Sequence, residues 1–126
     1  MSTPLALLDR DTLKAMTGGD ASLALEVIDI FREQAGLWSR LMDPKAEARQ
    51  WADAVHTMKG TSLSLGALRL AQACERAEKA GRAEPPPSTT AAAVLLGEVR
   101  DILTLTLEEA AKAAYELAGK GARRAS

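Results

Sequence analysis

The chain contains one histidine, His56, and its neighbours give it chemical content. If this stretch is helical, Lys59 and Gly60 lie one turn on from His56. An imidazole nitrogen is a competent nucleophile toward phosphorus near neutral pH, because the neutral ring is well populated. Lys59 would place a cation where a negative group on His56 would sit. Glycine inside a helix costs about 1 kcal/mol relative to alanine. Gly60 therefore needs a reason, and free approach to the imidazole is one. Other chemistries have little to build on. One His and one Cys, Cys74, cannot make a tetrahedral zinc site of the usual nitrogen and sulfur type. No nucleophile–base pair for hydrolysis stands out either, and no metal ligands are assigned.

Bulk properties narrow the classes further. The 126 residues suit one domain with one modest core. Hydrophobic residues make up 47% and charged residues 26%, which fits an ordinary globular protein. The formal net charge is −1, so the basic excess expected of a nucleic-acid binder is missing. The one basic cluster, Lys120, Arg123 and Arg124, reads as a solvated end. The longest uncharged stretch, between Glu84 and Glu98, is well short of the ~20 apolar residues of a membrane span. Asp9, Arg10 and Asp11 interrupt the early apolar stretch, so no secretory signal is expected. With a single Cys, a reducing cytoplasm is the expected location.

The elements that would position His56 are helices. Ala, Leu, Glu, Lys, Arg and Gln are abundant, aromatic residues are only 3%, and no stretch sustains a two-residue alternation. Asp9 can cap a short first helix over about 10–17, which Gly18-Gly19 would end. Asp20 caps a second over about 21–42, with Leu25, Ile28, Phe31, Ala35, Trp38 and Leu41 or Met42 at helical spacing. Asp43-Pro44 breaks the chain before a third over about 45–65. Its apolar stripe is Trp51, Val55, Met58, Ser62 and Leu65. Gly66 interrupts, and a fourth helix follows over about 67–80, ending at Gly81. Pro85-Pro86-Pro87 makes a stiff connector. Ser88 caps the last helix, over about 89–117, with Gly119 and Gly121 at its end and residues 119–126 frayed. No internal repeat or domain boundary is visible. The expected fold is all-α: an antiparallel four-helix bundle with an additional short N-terminal helix, as one domain over residues 1–126.

On the third helix, each residue advances roughly 100° around the axis. The apolar stripe then centres about 130° from His56. His56 points away from the packed face and shares its own face with Ala52, Lys59, Gly60 and Leu63. If the third and fourth helices fold back at Gly66-Ala67, residues equidistant from that turn stand at equal height, which sets Glu78 level with His56. A carboxylate there could accept Nδ1–H, fix the tautomer and leave Nε2 as the nucleophile. Plainer readings stand beside this one. A lone helical His is often a surface or packing residue, Gly60 could permit close helix packing, and Lys59 and Glu78 could be solvated charges.

The run His56-Thr57-Met58-Lys59-Gly60-Thr61-Ser62-Leu63-Ser64-Leu65-Gly66-Ala67 resembles the signature of the histidine phosphotransfer (Hpt) family, H-x-x-K-G followed by a small residue and a later glycine. The similarity extends back to Ile30-Phe31 and forward through Leu70, Cys74, Glu75, Glu78 and Gly81-Arg82, with the signature region at about 45–82. The resemblance implies that His56 is the phosphoacceptor and that Lys59 helps neutralise the phosphoryl oxygens. It implies that Gly60 clears space for the partner and that Glu78 orients the imidazole. Ser62 falls at a small-residue position, which the helical wheel puts near the packed face. Histidine-kinase dimerisation helices differ, with an acidic residue directly after the His and a proline shortly beyond. No ATP-binding motif is present, so autokinase activity is not expected.

The implied function is a multistep phosphorelay, with a phosphoryl group passing from a receiver-domain aspartate to His56 and on to another receiver. The implied partners are response-regulator receiver domains, including that of a hybrid histidine kinase. No cofactor is expected on this chain, because the receiver would bring Mg²⁺. Ala52, Leu63 and Arg82 are the expected partner contacts. The Met1 start and complete bundle lead to the expectation of a free-standing monomer. The alternative function is a helical adaptor that binds receivers without accepting phosphate.

Overall fold

The computed structural model describes residues 5–125, and side-chain surroundings through residue 119. It has five helices, α1 (Arg10–Met16), α2 (Ala21–Leu41), α3 (Ala48–Leu65), α4 (Leu68–Gly81) and α5 (Thr89–Ala125), and no strand among the described residues. Consecutive long helices are joined by short connections, so neighbours run antiparallel. α2, α3, α4 and α5 pack in a closed ring, each against the next and α5 back against α2. α1 packs on α3. This is the all-α bundle with an added N-terminal helix that the periodicity predicts. Among the described residues, no helix is long and apolar enough to cross a membrane.

The helix ends show local chemistry at work. Asp20 Oδ1 accepts the Leu23 N–H at 3.2 Å, and Ser88 Oγ accepts the Ala91 N–H at 3.2 Å, so two of the three expected N-caps form. Asp9 makes no side-chain cap to the α1 backbone, because its carboxylate accepts the Thr12 hydroxyl at 2.6 Å instead. α3 starts at Ala48, not near Lys45. The reason is Asp43, whose Oδ1 accepts the Lys45 N–H at 2.9 Å while its carbonyl accepts the Ala46 N–H at 3.0 Å. That turn holds the chain out of helix until Glu47. α5 also differs, running through Gly119 and on to Ala125, where an end near Leu117 was expected. Gly119 carries helical backbone, without the positive φ that a glycine cap uses.

The core is a set of helical stripes facing one axis. α2 contributes Ala24, Ile28, Phe31, Ala35 and Trp38, continued by Met42. Phe31 and Trp38 meet edge to face, with ring centroids 5.8 Å apart. α3 buries its expected stripe, Trp51, Val55, Met58, Ser62 and Leu65. α5 answers with Ala92, Leu96, Val99, Leu103, Thr106, Ala110 and Ala113, at alternating steps of four and three.

The α3–α4 hairpin carries the histidine. Gly66 takes left-handed geometry (φ +87°), and the Ala67 N–H returns to the Ser62 carbonyl at 2.8 Å, closing α3. The Gly66 carbonyl accepts the Asp9 N–H at 2.7 Å, which ties the entry to α1 onto this turn.

Candidate functional site

His56 stands on the outer face of α3 with 59% of its side chain exposed. Its Nδ1 is 2.7 Å from Glu78 Oε2 on α4. A carboxylate only accepts, so Nδ1 carries the proton and donates it. In the neutral ring, Nε2 then keeps the lone pair. The tautomer follows from this hydrogen bond. The turn at Gly66 sets the height of Glu78 and the helical period sets the face of His56, as the sequence reading expects.

Glu78 is the hub of the site. It is only 13% exposed, and both its oxygens are engaged. Lys59 Nζ donates to Oε1 at 3.1 Å, and Arg82 Nε donates to Oε2 at 3.0 Å. Burial, the largest single influence on its carboxyl, pushes the pKa up. The hydrogen bonds from Arg82 and Lys59, with the charges of Lys59 and His56, together outweigh it and hold the pKa below the ordinary glutamate range. The site therefore presents a fixed anion to the proton-bearing side of an exposed imidazole.

The expected residues separate into three groups. His56, Lys59 and Glu78 are in contact as a unit. Gly60 is exposed, and a Cβ built on it would meet nothing within 4 Å. Close packing against another helix is thereby excluded as its reason. Leu63 is half exposed and Arg82 is exposed. Ala52 departs from expectation. It is fully buried and unavailable to a partner. The wheel counted one packed stripe, but α4 covers this flank of α3 as well, and a Cβ on Gly81 would stand 3.0 Å from Ala52 Cβ.

Two features were not singled out from sequence. Asp53 on α3 accepts from Arg82 Nη2 at 3.0 Å. The equal-height rule that found Glu78 would also have found this pair. Leu23, Ile30, Leu37 and Leu41 of α2 are exposed apolar side chains at steps that return to one helix face. Cys74 lies buried in the core cluster. Burial chiefly, with a further push from the Glu78 charge and partial relief from Lys59, raises its thiol to about 12. It is not a nucleophile at neutral pH.

Fold and site together define a class: a helical bundle displaying one exposed histidine backed by a buried carboxylate. Comparison with known proteins agrees. The family model for the Hpt domain matches residues 22–115. The crystal structure of the histidine phosphotransferase ShpA from Caulobacter crescentus superposes with a TM-score of 0.70 at 34% sequence identity, covering 92% of this chain and 98% of that one. No curated protein matches in sequence. The chain belongs to the Hpt domain family, and membership supports a phosphocarrier role in a phosphorelay.

Proposed function

We propose that His56 accepts a phosphoryl group from the aspartyl phosphate of one receiver domain and delivers it to the aspartate of another. The observation that carries this is the exposed imidazole whose Nδ1–H is held by Glu78 at 2.7 Å. In the forward step the Nε2 lone pair attacks phosphorus, a P–N bond forms, and the acyl P–O bond breaks to release the receiver's carboxylate. Nδ1 keeps its proton, so the ring gains a positive charge. Glu78 lies where it stabilises that charge, as an aligned carboxylate does for other reactive histidines. The return step to the second receiver reverses each change.

Phosphoryl transfer is mostly a matter of positioning and charge stabilisation. Lys59, 27% exposed beside Glu78 and one helical turn from His56, is a cation the chain can offer the phosphoryl oxygens. The receiver's acidic pocket would bring Mg²⁺. The open space over Gly60 admits the partner's backbone. Leu63 beside the site, Ile30 and Leu37 on the adjacent helix α2, and Arg82 are exposed groups for a transient interface. We place the protein in the cytoplasm as a monomer, with a hybrid-kinase receiver among its partners.

The test is transfer from a radiolabelled phospho-receiver with Mg²⁺, run beside His56→Gln. Acid-labile, base-stable label on the wild type alone supports the reading. Binding of several cognate receivers without any label would leave the adaptor function instead.

A further inference from the structure

We propose that Asp53 and Arg82 form a positioning pair that locks the Glu78 carboxylate and, through it, the tautomer of His56. Its kinetic consequence rests on the phosphotransfer reading, but the positioning itself does not.

The geometry is a chain of four side chains across the α3–α4 hairpin. Asp53 Oδ1 takes a hydrogen bond from Arg82 Nη2 at 3.0 Å. Arg82 Nε donates at 3.0 Å to Glu78 Oε2, the same oxygen that accepts His56 Nδ1–H at 2.7 Å. Lys59 holds only the other oxygen, Oε1. Without Arg82, no side chain among the described residues other than His56 itself holds Oε2 toward the imidazole. The carboxylate could then turn about its terminal bond and follow Lys59.

Arginine suits this task and lysine does not. The guanidinium is planar, so two hydrogen bonds at different nitrogens fix its orientation. One anchor is Glu78, four residues earlier in α4, the helix that Arg82 caps at its C-terminus. The other is Asp53, on the opposite helix and three residues before His56. Asp53 therefore references the Arg82 plane to α3, the helix that bears the imidazole. Asp53 is 64% exposed and Arg82 42% exposed. A pair this wet contributes little to folding, so stability alone does not account for an arrangement in which four side chains converge. It also means that variants at either position keep the fold.

The experiment is ¹⁵N NMR of the imidazole in the unphosphorylated full chain at alkaline pH, where the two neutral tautomers give distinct shifts. Wild type, Asp53→Ala, Arg82→Gln, Arg82→Lys and the Asp53→Ala/Arg82→Gln double variant are compared. The wild type shows mainly the Nδ1–H form. Arg82→Gln lowers the Nδ1–H to Nε2–H ratio roughly three- to tenfold, the scale of weakening one charge-assisted hydrogen bond. Arg82→Lys does not restore it. Asp53→Ala lowers the ratio about twofold, and has no further effect once Arg82 is gone, as coupled residues behave. An unchanged ratio in Arg82→Gln overturns the proposal, as does an Asp53→Ala effect of equal size with and without Arg82. If Arg82→Gln weakens receiver binding while the ratio stays at the wild-type value, Arg82 is a docking residue and the proposal fails. A chain that takes no phosphate on His56 would sink the phosphotransfer reading and leave the NMR result standing.

Discussion

Gly81 on α4 lies against the indole of Trp51 on α3. A Cβ built there would stand 2.5 Å from Cζ3 and 2.7 Å from Cη2 of the ring. Gly81 is three residues past Glu78, so this contact sets how closely the carboxylate approaches the helix that bears His56.

Gly81→Ala is therefore expected to destabilise the bundle. Alanine gains up to about 1 kcal/mol in helix propensity. Against that, overpacking a closed core typically costs about 1–3 kcal/mol, and Trp51 is buried with little room to yield. The net loss should be about 1–2 kcal/mol by urea denaturation. Stability equal to the wild type would show that α4 shifts freely.

Gly60→Ala should do the opposite. Its Cβ meets nothing within 4 Å, so the helix gains up to about 1 kcal/mol. If the open space serves the partner, transfer from a phospho-receiver slows by about tenfold or more, the effect of a small misplacement of reacting groups. Thermal melts and single-turnover transfer measured on the same sample separate the two effects. A stabilised variant with full transfer rate would remove Gly60 from the partner surface.

Ser62 is fully buried in the α3 stripe, and its Oγ has no hydrogen-bond partner among the described residues. An unsatisfied buried hydroxyl costs about 1–3 kcal/mol. Ser62→Ala removes that group and vacates little volume, so we expect a gain of roughly 1 kcal/mol, read as a higher urea midpoint at constant slope. A loss would mean that the hydroxyl finds a partner in solution.

The Glu78 carboxyl is held below the ordinary glutamate range by Arg82, Lys59 and His56, against the opposing push of burial. A depressed carboxyl pKa contributes stability that is fully present above its unfolded value. That contribution is lost as pH falls through the folded value. Denaturation of wild type and Glu78→Gln across acidic pH should thus show a stability difference that shrinks as pH drops below the ordinary glutamate range. A difference independent of pH there would contradict the charge-based account.

How much of this was legible in the sequence varied with the kind of contact involved. His56 and Glu78 could be paired because one glycine turn fixes relative height and the helical period fixes direction. Both are local rules, and neither needs the other helices. Ala52 was misplaced because its burial depends on how close α4 comes, which Gly81 decides across the hairpin. Asp53 obeyed the same rule as Glu78 but carried no mark, since most surface aspartates are simply solvated. The start of α3 was displaced by one side chain, Asp43, competing for backbone N–H groups. The expected end of α5 rested on Gly119, and a propensity of about 1 kcal/mol is too weak to stop a helix by itself.

Asp53, His56, Lys59, Glu78 and Arg82 all come from the single hairpin of α3 and α4. The other helices add apolar surface to the core but no hydrogen bond to these five side chains among the described residues. The proposed phosphoacceptor site is thus a portable cassette, short in sequence and closed by its own turn. Any helical scaffold offering a complementary apolar trough could host it, and the remaining helices are free to diverge as long as that trough is kept.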